Sequence, residues 1–153
     1  MSEKMTAKHA DEILRQGFHC SQCVMFHTAE DLGMDLKQAL KMTGGLGGGC
    51  FQGDISGAVS AAICSLGLKY GFCEPGQAEQ NDILVGKVNE FKKRFLERNK
   101  SLTCKDLLGG LSFGDPEDCK KIMAGGHDKT FVNCGKYCAD ACEILDDLMK
   151  EDK

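Results

Sequence analysis

The sequence predicts an all-α protein, a single compact helical bundle over residues 1–153 with one glycine-rich loop in its first half. Apolar residues recur at spacings of three and four in several segments, which is the helical period. No segment alternates apolar and polar residues as a half-buried strand would. Glycine and proline fall between the periodic segments and punctuate them. A chain of 153 residues and 16.6 kDa suits one core, burying roughly 70% of its unfolded surface.

The elements follow in order. Met5, Ala10, Ile13 and Leu14 form a short amphipathic pattern that Gly17 breaks. A second helix is expected from Phe18 to Asp31, carrying Cys20, Cys23 and His27 on one face, and Leu32-Gly33 ends it. Asp35 can cap a short helix through Leu36, Ala39, Leu40 and Met42. The run Thr43 to Asp54, with Gly44, Gly45, Gly47, Gly48, Gly49 and Gly53, is too rich in glycine for helix or strand. Ile55 to Cys64 then reads as a buried helix of small residues ending near Tyr70. After the turn Glu74-Pro75-Gly76, residues Ile83, Leu84, Val88, Phe91, Phe95 and Leu96 predict a long amphipathic helix over 78–98. Ser101 to Leu108 gives one or two turns closed by Gly109-Gly110, and Asp115-Pro116 opens a helix that Gly125-Gly126 should stop. From Lys129 onward, Val132, Cys138, Ala141, Cys142, Leu145 and Leu148 predict the last helix, with a charged tail over 150–153.

Composition removes several function classes. With 19 basic and 23 acidic residues the net charge is −4, and no basic cluster is large enough to attract nucleic acid. The most apolar stretch, Ile55 to Leu68, is too short and too small-sided to span a membrane. Residues 1–16 are polar and charged and lack the apolar stretch of a secretory signal, so a cytoplasmic location is expected. No Ser/His/Asp or paired-carboxylate signature supports hydrolase chemistry.

Ten cysteines stand out. In a reducing compartment such clusters serve as metal ligands or redox centres more often than as structural bridges. Cys20 and Cys23 form a C-x-x-C pair near a helix start, where the dipole favours the thiolate, and either is a candidate redox thiol. The same pair can equally be two small buried thiols on a core-facing stripe. Cys134, Cys138 and Cys142 are four apart, so they drift along one stripe and cannot all bind one ion. Cys138 and Cys142 share their face with Ala141 and Leu145, and Cys64 also reads as core. Cys73, Cys104 and Cys119 lie at turns or helix starts, which suits exposure and ligation. Among the histidines, His9 reads as solvent-facing, His19 as pointing off the Cys20 face, His27 as sharing it, and His127 as following a Gly-Gly loop. The glycine run matches neither dinucleotide nor P-loop phosphate motifs. Its expected use is to close backbone amides of Gly47, Gly48 and Gly49 around an anionic centre.

Several segments together resemble the bacterial and archaeal family of small redox proteins named for its C-GCAxxG-C-C pattern, a module also found in split-Soret cytochromes c. Gly17-Phe18-His19-Cys20-Ser21-Gln22 is similar to its opening, and Gly47 to Gly71 to its glycine-rich loop and Leu-Gly-Leu-x-Tyr-Gly segment. Cys104-Lys105-Asp106-Leu107-Leu108-Gly109 resembles the segment of the third family cysteine, and Cys134-Gly135-Lys136-Tyr137 that of the fourth. Where the family reads Cys-Gly-Ala-x-x-Gly, this chain has Ser56-Gly57-Ala58-Val59-Ser60-Ala61. A serine hydroxyl is a poor soft-metal ligand, so Cys50 is the expected substitute. Cys23, Cys138 and Cys142 stand where the family leads one to expect other residues, which suggests a rearranged or larger site.

The resemblance implies a helical domain with a redox-active cysteine centre. The expectation is an electron-transfer or redox-sensing protein holding an iron–sulfur cluster through Cys20, Cys50, Cys104 and Cys134, with Cys23, Cys119 and Cys138 as alternates. Two other readings stay open: a metal-free thiol–disulfide oxidoreductase attacking through Cys20 or Cys23, and an interaction module pinned by structural zinc. If the chain is an enzyme, it is an oxidoreductase. A redox partner protein is expected, and the amphipathic residues Phe91, Phe95 and Leu96 could serve either a homodimer or the core.

Overall fold

In the computed structural model the backbone is described for residues 3–129 and 133–152, and the side chains for 3–122 and 133–152. The described residues form eight α-helices and no strand. These are α1 (Ala7–Arg15), α2 (Cys20–Thr28), α3 (Leu36–Thr43), α4 (Gly57–Tyr70), α5 (Ala78–Asn99), α6 (Cys104–Leu107), α7 (Pro116–Lys129) and α8 (Cys134–Lys150). None of the described helices is long and apolar enough to cross a membrane.

Most helix starts carry the polar cap that their sequence promises. Thr6, Asp35, Ser56 and Thr103 accept hydrogen bonds from the backbone N–H groups of His9, Gln38, Ala58 and Asp106. Asp115 Oδ1 accepts from the N–H groups of Glu117 and Asp118 ahead of α7. Helix α2 begins two residues later than expected, at Cys20, because His19 is extended and Gln22 reaches back to accept from its N–H at 2.9 Å. It stops at Thr28, and a 3-10 turn over Glu30–Leu32 fills the remainder of the expected helix.

Helix α2 is the centre of the bundle, packed on α3, α4 and α8. Its buried Cys23, Val24 and Met25 meet the small residues Ala58, Ala61 and Ala62 of α4, which permit a close approach. A β-carbon at Gly57 would lie 3.0 Å from the Ser21 nitrogen and 3.1 Å from the Leu46 oxygen, so only glycine fits there without displacement. Deeper in this interface Thr28 and Ser65 share a hydrogen bond of 2.8 Å. With one proton each, one of the two hydroxyls donates to the other while its partner donates back along its own helix, Thr28 to Val24 O or Ser65 to Ala61 O, so both are satisfied while buried. Ser21 Oγ donates to Thr43 O at 2.7 Å and Gln22 Nε2 to Leu40 O at 3.0 Å, covering carbonyls that the end of α3 leaves unpaired.

Helices α5 and α8 close the other side. Phe91 and Phe95 stack with ring centroids 6.0 Å apart and are fully buried, whereas Leu96 is exposed; the two phenylalanines serve the core. Helix α8 buries Cys138, Ala141, Cys142, Ile144, Leu145 and Leu148, the face its periodicity marks. His27 Nε2 lies 3.0 Å from Asp146 Oδ1 with both side chains largely shielded, tying the end of α2 to α8.

The glycine run departs from its expected irregularity. It contains a 3-10 turn over Gly44–Leu46 and a wide turn over Gly49–Gly53 closed by Asp54 N–H donating to Gly49 O at 3.0 Å. Gly48, Gly49, Cys50 and Phe51 all have φ between 58° and 65°, a stretch of left-handed backbone. For the two residues with side chains this costs about 1–2 kcal/mol each. Ile55, expected to open the next helix, instead forms an isolated antiparallel bridge with Thr103, through Ser56 N–H to Leu102 O and Cys104 N–H to Asp54 O, both 2.8 Å. That bridge sets the starts of α4 and α6 side by side. Gly125-Gly126 does not end α7, whose backbone runs on to Lys129. Val132 and the side chain of His127 lie outside the described residues.

One packing contact can be tested directly. A β-carbon on Gly135 would stand 2.2 Å from Asp11 Oδ1 and 2.7 Å from the backbone oxygen of Ala7, where α1 meets the first turn of α8. Gly135→Ala is therefore expected to destabilise the fold by about 1–3 kcal/mol, read as a lower thermal midpoint; an unchanged midpoint would show that this contact yields freely.

Candidate functional site

Three of the anticipated cysteines meet at one end of the bundle. Cys20, Cys104 and Cys134 are the first residues of α2, α6 and α8. Their side chains border a single cavity of about 170 Å³, together with Gly17, His19 and Gly48. Leu14, Phe18, Leu108 and Phe113 complete an apolar wall. Each cysteine arrives by a local sequence device. Gly17, at φ 99°, turns the chain between α1 and α2; Thr103 caps α6; and Gly135 lets the start of α8 press against α1.

The thiols are not equivalent. Cys134 and Cys138 both direct hydrogen bonds at the Cys20 sulfur, and these hold the Cys20 thiol well below its ordinary range; burial opposes the effect, and His19 adds a smaller favourable charge. The donors move the other way. Cys134 is held far above the thiol range by its bond to Cys20, then by burial and by the charge on Cys20. Cys138 is raised because its thiol can bond to Cys20 or to Cys23 while fully buried. Burial, and then the Cys20 charge, push Cys104 up to about 12. The site therefore favours ionisation at Cys20 over Cys104, Cys134 and Cys138. Cys20 also opens a nine-residue helix, whose positive end favours the same charge.

Behind the cavity the sulfur atoms continue into the core. Cys138 sits one helical turn below Cys134, and its Sγ lies 3.8 Å from the Cys20 carbonyl oxygen. Cys23 and Cys142 follow, both fully buried, and burial raises Cys142. The α2 face with Cys20 and Cys23 and the α8 face with Cys134, Cys138 and Cys142 are the two stripes apparent in the sequence. The fold sets them against each other.

Other anticipated residues lie apart from this group. Cys50 is exposed on the left-handed turn and does not border the cavity. Cys73 is exposed beyond α4, Cys64 is half-buried in α4 with burial raising its thiol, and Cys119 is half-buried in the first turn of α7. Ser56 is buried and uses its hydroxyl to accept from the Ala58 N–H as the cap of α4. Of the three loop glycines, Gly48 borders the cavity, where a β-carbon would lie 2.6 Å from the Phe113 ring. Gly47 lies against His19, a β-carbon there falling 2.6 Å from His19 Cβ, and Gly49 against the Asp54 backbone at 2.4 Å. His19 is the residue that the sequence reading undervalued. It borders the cavity and meets the Phe51 ring edge-on at 5.3 Å; the clue was its place immediately before Cys20, at the helix cap, where helical phase says little about direction.

A larger, polar hollow of about 380 Å³ lies elsewhere, bordered by His9, His27 and Asp31 and by no cysteine. Among the described residues no group of three or more His, Cys, Asp or Glu side chains is arranged to hold a single metal ion.

No curated protein and no solved structure matches the chain. A family model described as "Putative redox-active protein (C_GCAxxG_C_C)" matches residues 18–148, a span that takes in the glycine loop and all ten cysteines. The chain belongs to the C_GCAxxG_C_C family of redox-active proteins.

Proposed function

We propose that this protein carries out thiol–disulfide redox chemistry, with Cys20 as the attacking thiolate and Cys134 as the thiol that resolves the intermediate. The observation that carries the reading is the cavity wall that Cys20 shares with Cys134, with the Cys138 sulfur 3.8 Å from the Cys20 carbonyl oxygen behind it. A thiolate is the nucleophile in such exchange, and its resolving thiol must lie within bonding reach. Cys20 attacks one sulfur of a substrate disulfide, forming a mixed disulfide and expelling the other half as a thiolate. Cys134 then attacks Cys20, and the second substrate half leaves, taking the proton that Cys134 gives up. Two electrons pass from the dithiol to the substrate, and a Cys20–Cys134 disulfide remains. The apolar wall of Leu14, Phe18 and Phe113 favours a substrate whose disulfide is flanked by apolar groups.

A second reading has its own support in the three thiols of Cys20, Cys104 and Cys134 around one cavity. Thiolates are the usual ligands of iron–sulfur clusters, which would supply one-electron chemistry and serve electron transfer or redox sensing. Of the anticipated set, Cys20, Cys104 and Cys134 border the cavity, while Cys50 is exposed and does not line it, and Ser56 caps α4. A cluster would therefore rest on three thiols with an incomplete fourth position. Structural zinc is supported less, since four ligands at 2.3 Å must gather around one point.

Two outcomes are expected. Removing the larger of the two hydrogen bonds by Cys134→Ala should shift the pH profile of Cys20 alkylation upward and slow its alkylation at pH 7 roughly tenfold, measured by mass spectrometry of the Cys20 peptide; an unchanged profile would contradict the role given to Cys134. Anaerobically purified protein should contain no stoichiometric iron and acid-labile sulfide. Equal amounts of the two, lost on Cys104→Ala, would favour the cluster and overturn the dithiol reading.

A further inference from the structure

The cavity thiols account for neither Cys138 nor Cys23, which are fully buried yet placed in line behind Cys20. The Cys138 sulfur on α8 stands within interaction range of both Cys20 and Cys23, two cysteines one turn apart on α2, and its single S–H can serve one of them at a time. Its Sγ also lies 3.8 Å from the Cys20 carbonyl oxygen, which fixes it against the first turn of α2. Two apolar side chains would fill the same core space, but neither would carry a sulfur able to exchange.

We propose that Cys138 and Cys23 form a second, internal redox pair that takes over the disulfide made at the cavity, so that each chain stores two disulfides rather than one. The proposal rests on the thiol–disulfide reading of Cys20 and Cys134. Cys138 attacks the Cys20 sulfur of the Cys20–Cys134 disulfide; the Cys20–Cys138 bond forms, the Cys20–Cys134 bond breaks, and the proton of Cys138 passes to Cys134. Cys23 then attacks Cys138; the Cys23–Cys138 bond forms, the Cys20–Cys138 bond breaks, and the proton of Cys23 passes to Cys20. Two electrons have moved outward to Cys20 and Cys134, and no external oxidant takes part in the transfer. Cys20 is again free to attack a second substrate disulfide. Burial shields the inner disulfide from outside thiols, so it returns to the dithiol only through Cys20.

The test is a titration of the reduced full-length chain with dithiodipyridine. Remaining thiols are alkylated after denaturation, and intramolecular disulfides are located by mass spectrometry, which separates them from mixed disulfides at exposed Cys50 and Cys73. The expected result is two internal disulfides in the wild type, with Cys23–Cys138 appearing before the second Cys20–Cys134 bond. One should form in Cys23→Ala and none in Cys20→Ser. A wild type that stops at one Cys20–Cys134 disulfide, with Cys23 and Cys138 alkylated throughout, overturns the relay and leaves the cavity pair standing. A wild type that forms no disulfide involving Cys20 overturns the reading beneath it. The wild-type time course decides between these outcomes even if a core variant fails to fold.

Discussion

The structure depends on the meeting of two helix faces around the Cys20 sulfur. A buried thiolate is costly, and it persists only where donors compensate the lost water. Cys134 and Cys138 supply that compensation from α8, so the register between α2 and α8 cannot slip by a turn without removing it. The same register brings His27 against Asp146 farther along the interface. Small residues make the arrangement possible: Gly57 lets α4 approach the start of α2, and Gly135 lets the start of α8 approach α1. Cys20 is thus held by neighbours that the core requires for packing.

This placement sorts the ten cysteines by environment. Cys20, Cys104 and Cys134 face a cavity. Cys23, Cys138 and Cys142 lie fully buried behind it. Cys50 and Cys73 face solvent, while Cys64 and Cys119 are half-buried in helices away from the group. The line of sulfur from the cavity into the core follows from two periodicities: steps of four along α8, and a step of three along α2. Neighbouring thiols can exchange a disulfide without large backbone movement, because a bonded pair needs its β-carbons only about 4 Å apart.

Much of this was legible in the sequence, for reasons that particular residues make plain. Helix periodicity marked α5 and α8 because long runs such as Ile83 to Leu96 average out local exceptions. It also marked Cys138 and Cys142 as core-facing, and Cys23 lies buried beside them. It could not say that the α2 and α8 stripes face each other, since that is a tertiary fact. The end of α7 was misplaced because a glycine pair weakens a helix without forbidding it. The place of Cys50 was open for a different reason. A glycine loop leaves direction open, and the left-handed turn at Gly48 to Phe51 carries Cys50 away from the cavity wall. Ser56 illustrates the same limit: its identity excluded a good soft ligand, but its work as the cap of α4 emerges only from the hydrogen bond to Ala58.

The central claim is that the neighbours of Cys20 favour its thiolate, drawing its ionisation well below the ordinary thiol range. Its most direct test is a pH titration of thiolate ultraviolet absorbance, taken as the difference between the wild type and Cys20→Ser. The account predicts a thiolate signal that develops well below the ordinary thiol range. A signal that first develops near the ordinary thiol range, at about pH 8.5, would contradict it.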